Sequence, residues 1–112
     1  MRRTLVLAAA MLGLACARTP RYPELAGSAA AEIARAESAI AAAVRAGADS
    51  LASEPLASAR QNLEKARNEL EANENSRALV AARLADADAR YAATQARLRA
   101  AQRERDKADA EM

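Results

Sequence analysis

Apolar residues recur at alternating spacings of three and four in three stretches of the chain, and this feature constrains the fold most. Such spacing places side chains on one face of an α-helix. The three stripes are Ile33, Ala36, Ile40, Ala43 and Gly47; Leu56, Ala59, Leu63, Ala66 and Leu70; and Val80, Leu84, Ala87, Tyr91, Thr94, Leu98 and Ala101. We therefore predict an all-α protein with helices near residues 24–46, 54–72 and 76–104.

Turn-forming residues separate the three predicted helices at residues 47–53 and 73–75. Glycine closes helices because it adopts the left-handed conformation, and serine or asparagine side chains can cap a helix start. Proline is tolerated in a first turn, where its missing N–H costs little. The predicted end signals are Gly47 after the first helix, Ser53 and Pro55 at the start of the second, and Asn75 or Ser76 as the cap of the third.

Short connections favour antiparallel packing of neighbouring helices. We therefore predict a small antiparallel three-helix bundle, in which a helical hairpin packs against a longer third helix. Leu63 and Leu84 are predicted to form its centre, facing Ile33 and Ile40 of the first helix, and Tyr91 is predicted to lie in the core. In the alternative interpretation the third helix is not closed into the bundle, and its stripe binds a partner.

The C-terminal segment, residues 99–111, is mostly charged and has no large apolar residue. Without an apolar stripe, a terminal segment has little to hold it against a core. We expect this end to fray rather than continue as a solvated helix.

The N-terminus fits an export signal. Arg2 and Arg3 precede an apolar run at residues 5–12, within an uncharged segment at residues 4–17. This segment is shorter than the about 20 apolar residues needed to span a membrane. The segment LGLAC at residues 12–16 resembles a bacterial lipobox, in which the cysteine becomes the lipidated first residue. A plain secretory cut after Ala17 also satisfies the small-residue rule.

The lone cysteine favours lipidation over the plain cut. Cys16 is the only cysteine in the chain, so it has no internal disulfide partner, and a free thiol is a liability in an oxidising compartment. We therefore predict a lipoprotein signal at 1–15, a lipidated Cys16 with a proline-containing tether at 16–23, and an alanine-rich helical domain with a polar end at 24–112.

Charge and composition argue against several functions. The chain has 17 basic and 15 acidic residues, and Arg2 and Arg3 supply its net charge of +2, so the segment after the signal is neutral. With no histidine and two aromatic residues, it lacks the basic, aromatic surface typical of nucleic-acid binding. Asp86 and Asp88 point to different helix faces and are not a catalytic pair. We expect no enzymatic activity, no metal site and no cofactor.

Several segments together resemble a known family. They are Cys16 with its tether, AESAIAAA at 36–43, GA at 47–48, EPLASARQNLEKA at 54–66 and ALVAARLADADA at 78–89. These resemble the bacterial lipoproteins of domain of unknown function 4398. The resemblance implies an alanine-rich helical envelope lipoprotein without catalytic residues, and its members are often fused to OmpA-like peptidoglycan-binding domains.

We therefore expect a non-enzymatic cell-envelope module that is held at the membrane by acyl chains such as palmitate and docks an envelope protein through an alanine-lined face. Ala17 stands where inner-membrane retention signals of similar lipoproteins often have aspartate, which favours the outer membrane, facing the periplasm. The alternative is a homo-oligomeric coiled coil that acts as a periplasmic spacer.

Overall fold

The computed structural model describes residues 22–112, and this part of the chain contains helices and no strand. A 3₁₀ turn at Pro23–Leu25 leads into four α-helices. They are α1 (Ala26–Arg45), α2 (Ala48–Leu51), α3 (Ser53–Glu71) and α4 (Asn75–Ala110). The all-α prediction is confirmed, and the three predicted helices correspond to α1, α3 and α4. The short α2 lies in the connection at residues 47–53, where the sequence predicts a break without a helix.

Left-handed residues end α1 and α3. Gly47, two residues after the end of α1, has a φ of 89°, as its predicted capping role requires. Asn73, with a φ of 59°, has the same position after α3. The backbone N–H of Asn73 donates to the Leu70 carbonyl at 3.0 Å, and the backbone N–H of Glu74 donates to the Glu69 carbonyl at 2.8 Å. These two bonds turn the chain sharply from α3 into α4.

The predicted N-terminal caps are wrong. Ser53 and Asn75 are the first residues of α3 and α4, Ser76 lies inside α4, and both helices begin without a side-chain cap. The Asn75 side chain is used elsewhere, because its Nδ2 atom donates to the Tyr22 carbonyl at 3.0 Å. Pro55 lies in the first turn of α3, as predicted.

The helices form a bundle in which α4 packs along both α1 and α3. One end of the core brings Ile33 of α1, Leu63 of α3 and Ala82 of α4 together. The other end combines Ala43, Leu56 and Ala93 with α2. This order makes α1 and α3 antiparallel and sets α4 parallel to α1, as expected for successive helices with short connections.

The first two predicted stripes are confirmed as core. Ile33 and Leu63 are each 7% exposed and Leu56 is 1% exposed. Ile40 and Leu70 are partly buried and pack against the same core. Because isoleucine or leucine alternates with alanine on both helices, each presents one narrow apolar face to its neighbours.

The third stripe faces the opposite way from the prediction. Leu84, Val80, Tyr91 and Leu98 are between 51% and 58% exposed, so the predicted burial of Leu84 against Ile33 and Ile40 and the core position of Tyr91 are wrong. The buried face of α4 consists of alanines. They are Ala78, Ala81, Ala82, Ala85, Ala89, Ala92, Ala93 and Ala96.

The size of the side chains on the other helices explains this orientation. α1 and α3 bring isoleucines and leucines to the same interior, and Leu56 is fully enclosed there. Helix axes can approach to about 8 Å only where the facing side chains are small. A methyl group on α4 fits between those aliphatic side chains, whereas leucine or tyrosine would force the helices apart.

The expectation of a frayed C-terminus is also wrong, because α4 continues to Ala110. Near the end of the bundle the Arg99 guanidinium donates to the Leu51 carbonyl at the end of α2, and Ala100 packs against the core. Residues 101–110 are exposed and project beyond the bundle. Alanine, arginine, lysine, glutamate and glutamine all favour helix intrinsically, so this overhang needs no core to remain helical.

Leu63→Ala and Leu84→Ala should have very different effects on stability. The first removes a buried side chain and should lower the free energy of unfolding by about 2–5 kcal/mol. The second trims an exposed side chain and should change it by less than about 0.5 kcal/mol. Thermal unfolding followed by circular dichroism measures both. Equal losses of stability would contradict the observed orientation of α4.

Candidate functional site

The exposed apolar face of α4 is the candidate functional surface. We call it the α4 stripe, and it comprises Val80, Leu84, Ala87, Tyr91, Thr94 and Leu98. Single exposed apolar residues are ordinary, but a row of large exposed apolar side chains along one helix face is a candidate binding surface. The stripe lies diametrically opposite the buried alanines, so packing against α1 and α3 leaves it free.

The α4 stripe has the spacing of a coiled-coil seam. Its residues alternate four and three apart, which assigns them to heptad positions d and a. Large side chains occupy the a positions at Leu84, Tyr91 and Leu98, whereas small ones occupy the d positions at Ala87 and Thr94. The seam is therefore a row of bulky side chains separated by shallow depressions.

Three arginines follow one side of the stripe. We call this row the arginine edge, and it comprises Arg83, Arg90 and Arg97, one at each g position of the heptads. The Nε atom of Arg90 lies 3.1 Å from Oδ1 of Asp86. Arg83 and Arg97 form no ion pair with any residue in the range 22–112. The edge thus keeps two exposed cations that the described part of the chain does not neutralise.

A surface groove runs beside the arginine edge, between α4 and α1. Arg35 and Ser38 of α1 and Arg90 and Arg97 of α4 line it. Arg35 is paired with Glu32 on its own helix at 3.3 Å. Asp86, the ion-pair partner of Arg90, lines the same groove, which therefore adds charged groups of both signs next to the apolar stripe.

The opposite side of α4 is fastened to α3 by a carboxylate. Oδ2 of Asp88 accepts hydrogen bonds from Oγ of Ser58 and Nδ2 of Asn62, both at 2.8 Å. Asp86 lies on the other side of the helix and pairs with Arg90. The two aspartates face different directions, as predicted, and have different partners. Asp88 fixes the rotation of α4, which keeps the stripe outward.

The tether enters at the end of the bundle where α3 turns into α4. Asn75 is 5% exposed, and its side chain bonds the Tyr22 carbonyl there. The overhang of α4 lies at the opposite end, next to α2. Tyr22, the first described residue, is therefore far from the free end of α4.

The predicted lipidation site, Cys16, lies outside the described residues, as do the predicted signal and most of the tether. Between residues 22 and 112, no helix combines the length and apolar character that crossing a membrane requires. In the same range, no three acidic, cysteine or histidine side chains cluster in a way that could hold a metal ion.

A family model described as domain of unknown function (DUF4398) matches residues 31–108, most of the 112-residue chain. No curated protein and no solved structure matches it. The matched range contains α2 and α3 and nearly all of α1 and α4, so it includes the buried alanines, the α4 stripe and the arginine edge. The resemblance seen in the sequence is thereby confirmed at the level of the family. The chain belongs to the DUF4398 family.

Proposed function

We propose that the protein is a membrane-anchored, non-enzymatic lipoprotein of the bacterial cell envelope, and that it docks a protein partner through the α4 stripe. The exposure of that stripe carries the proposal. Burying one large aliphatic side chain contributes about 1.5–3 kcal/mol. On α4 the alanines are buried while Val80, Leu84 and Leu98 remain more than half exposed, so a partner has most of the apolar surface of this helix still to gain.

This docking face differs from the alanine-lined face expected from the sequence. Eight alanines of α4 are buried inside the bundle, and the large side chains that the stripe exposes are Val80, Leu84, Tyr91 and Leu98. Large residues suit an interface better, because they reach into the partner and bury more area per residue.

Lipidation at Cys16 would supply the anchor. A buried acyl CH₂ contributes about 0.8 kcal/mol, so two or more chains hold a domain firmly at a bilayer. The segment after the signal is neutral and has no electrostatic attraction to lipids, so it depends on those chains, for example palmitate. Ala17 after the cysteine favours the outer membrane, with the domain facing the periplasm.

The geometry suits a module that stands out from a membrane. The six residue steps from Cys16 to Tyr22 span at most about 20 Å when fully extended. They join the bundle at the start of α4, and this helix of 36 residues is about 54 Å long. In the proposed arrangement the stripe begins near the bilayer and the overhang is directed away from it, toward proteins in the periplasm.

The non-enzymatic part of the proposal follows from composition. The chain has no histidine and a single cysteine, which removes the usual nucleophile–base pairs and zinc ligand sets. The same composition argues against cofactor and nucleic-acid binding. The heptad spacing of the stripe supports one second candidate, a self-associating periplasmic spacer, which places a second copy of the chain on the same surface.

Replacing the cysteine tests the anchor. Cys16→Ser removes the acyl acceptor, so we expect the protein to move from the membrane fraction to the soluble fraction of the cell. Ser58→Ala, which leaves the anchor untouched, should remain with the membrane. Fractionation and intact-mass analysis measure both outcomes. A native chain that begins at Arg18 and so lacks Cys16, or one that retains Cys16 with an unmodified thiol, would contradict lipidation.

Site-specific crosslinking tests the docking. A photoreactive residue at position 98 should give a discrete adduct in living cells, and Leu84→Glu in the same chain should abolish it by placing a charge in the seam. The same residue at position 34, which is exposed on α1, should give none. Adducts of equal yield from both positions, or none from position 98, would contradict docking through the stripe.

A further inference from the structure

We propose that the α4 stripe binds an amphipathic helix of a different protein, and that this helix has acidic residues along the side that meets the arginine edge. The inference rests on the proposed docking function and names the chemistry of the partner. It is argued from the sizes of the stripe residues and from the charges beside them.

A second copy packed in parallel would leave gaps in the seam. In a parallel pair each position meets its own counterpart. Leu84, Tyr91 and Leu98 would then form wide layers, whereas Ala87 and Thr94 would form narrow ones. The large side chains would set one distance between the two helix axes along the whole seam. At that distance the small side chains of Ala87 and Thr94 would not reach their counterparts, and the resulting voids would lose packing contacts.

A second copy packed antiparallel would fill the seam but would bring like charges together beside it. Large a residues would then meet small d residues, but the g positions of the two helices would lie side by side. The arginine edge would face itself, with Arg90 near its counterpart and Arg83 near Arg97. Like charges held together at a seam oppose association. Neither orientation of a second copy satisfies both constraints.

A partner helix with acidic residues at its flanking positions satisfies both the packing requirement and the charge requirement. Arg83 and Arg97 are two heptads apart, about 21 Å along the helix, and make no ion pair within residues 22–112. Carboxylates repeated every seven residues on a partner would meet them in turn, with bidentate geometry available to each guanidinium. Large apolar side chains on the same partner would fill the depressions at Ala87 and Thr94. This is the helix-in-groove mode of recognition.

Two synthetic probes test the proposal with the full chain. Both are 21-residue helices with leucine at every a and d position. One has glutamate at every e and g position, and the other has lysine there, so like charges keep either probe from pairing with itself. We expect the glutamate probe to bind about tenfold more tightly in fluorescence anisotropy at low salt, as two exposed ion pairs at Arg83 and Arg97 would give. The difference should shrink as salt is added.

Charge reversal at matched positions shows where the selectivity arises. Arg97→Glu should weaken binding of the glutamate probe about fivefold, because it replaces an attraction with a repulsion. Arg103→Glu is the control: Arg103 lies on the same helix, is exposed and faces away from the stripe. This change should alter binding less than twofold.

The outcomes separate this inference from the proposed function. Equal binding of both probes that is lost in Leu84→Glu would keep the docking face and overturn the acidic partner. If light scattering shows a dimer of the full chain and Leu84→Glu dissociates that dimer, the surface binds a second copy. This result would also overturn the acidic partner. Binding of neither probe would overturn both the acidic partner and docking through the stripe.

Discussion

The contact that the rest of the structure depends on is the alanine face of α4 packed between α1 and α3. Alanine contributes little apolar area by itself, but it lets helices approach until their backbones and methyl groups are in van der Waals contact. The isoleucines and leucines of the hairpin then fill the space that alanine leaves. Once α4 is rotated to present its alanines inward, its larger residues have only solvent to face. The candidate site is thus a consequence of the packing.

The faces of α1 and α3 could be predicted from sequence because each has a single apolar stripe. Ile33 and Leu63 mark those stripes, and neither helix exposes a second row of large apolar residues. α4 has two apolar stripes on opposite sides, one of alanine and one of larger residues. Periodicity and side-chain size alone predict that the stripe of larger residues is the buried one, and that prediction is wrong for α4. The orientation of α4 is decided by α1 and α3, which already fill the core with large side chains. The sequence of α4 considered alone does not show this.

Two sequence signals could have corrected the orientation of α4. Its alanines occupy six successive stripe positions without interruption, at 78, 82, 85, 89, 92 and 96, whereas the larger stripe is interrupted by Thr94 and flanked by the arginine edge. A flank with a charge at every heptad is typical of a seam that meets another helix at the surface. The bond from Asn75 to Tyr22, which places the tether at one end of the bundle, joins residues too far apart in sequence for any local pattern to predict.

Thiol labelling along α4 measures its orientation most directly. In a Cys16→Ser background, single cysteines are placed at two sets of positions and allowed to react with a water-soluble maleimide under native conditions. Cysteines at positions 80, 84, 87, 91, 94 and 98 should react as fast as a thiol in the unfolded chain. Cysteines at positions 82, 85, 89, 92 and 96 should react at least about a hundredfold more slowly, because labelling there requires opening of the bundle. Protection of the first set and rapid labelling of the second would contradict the account.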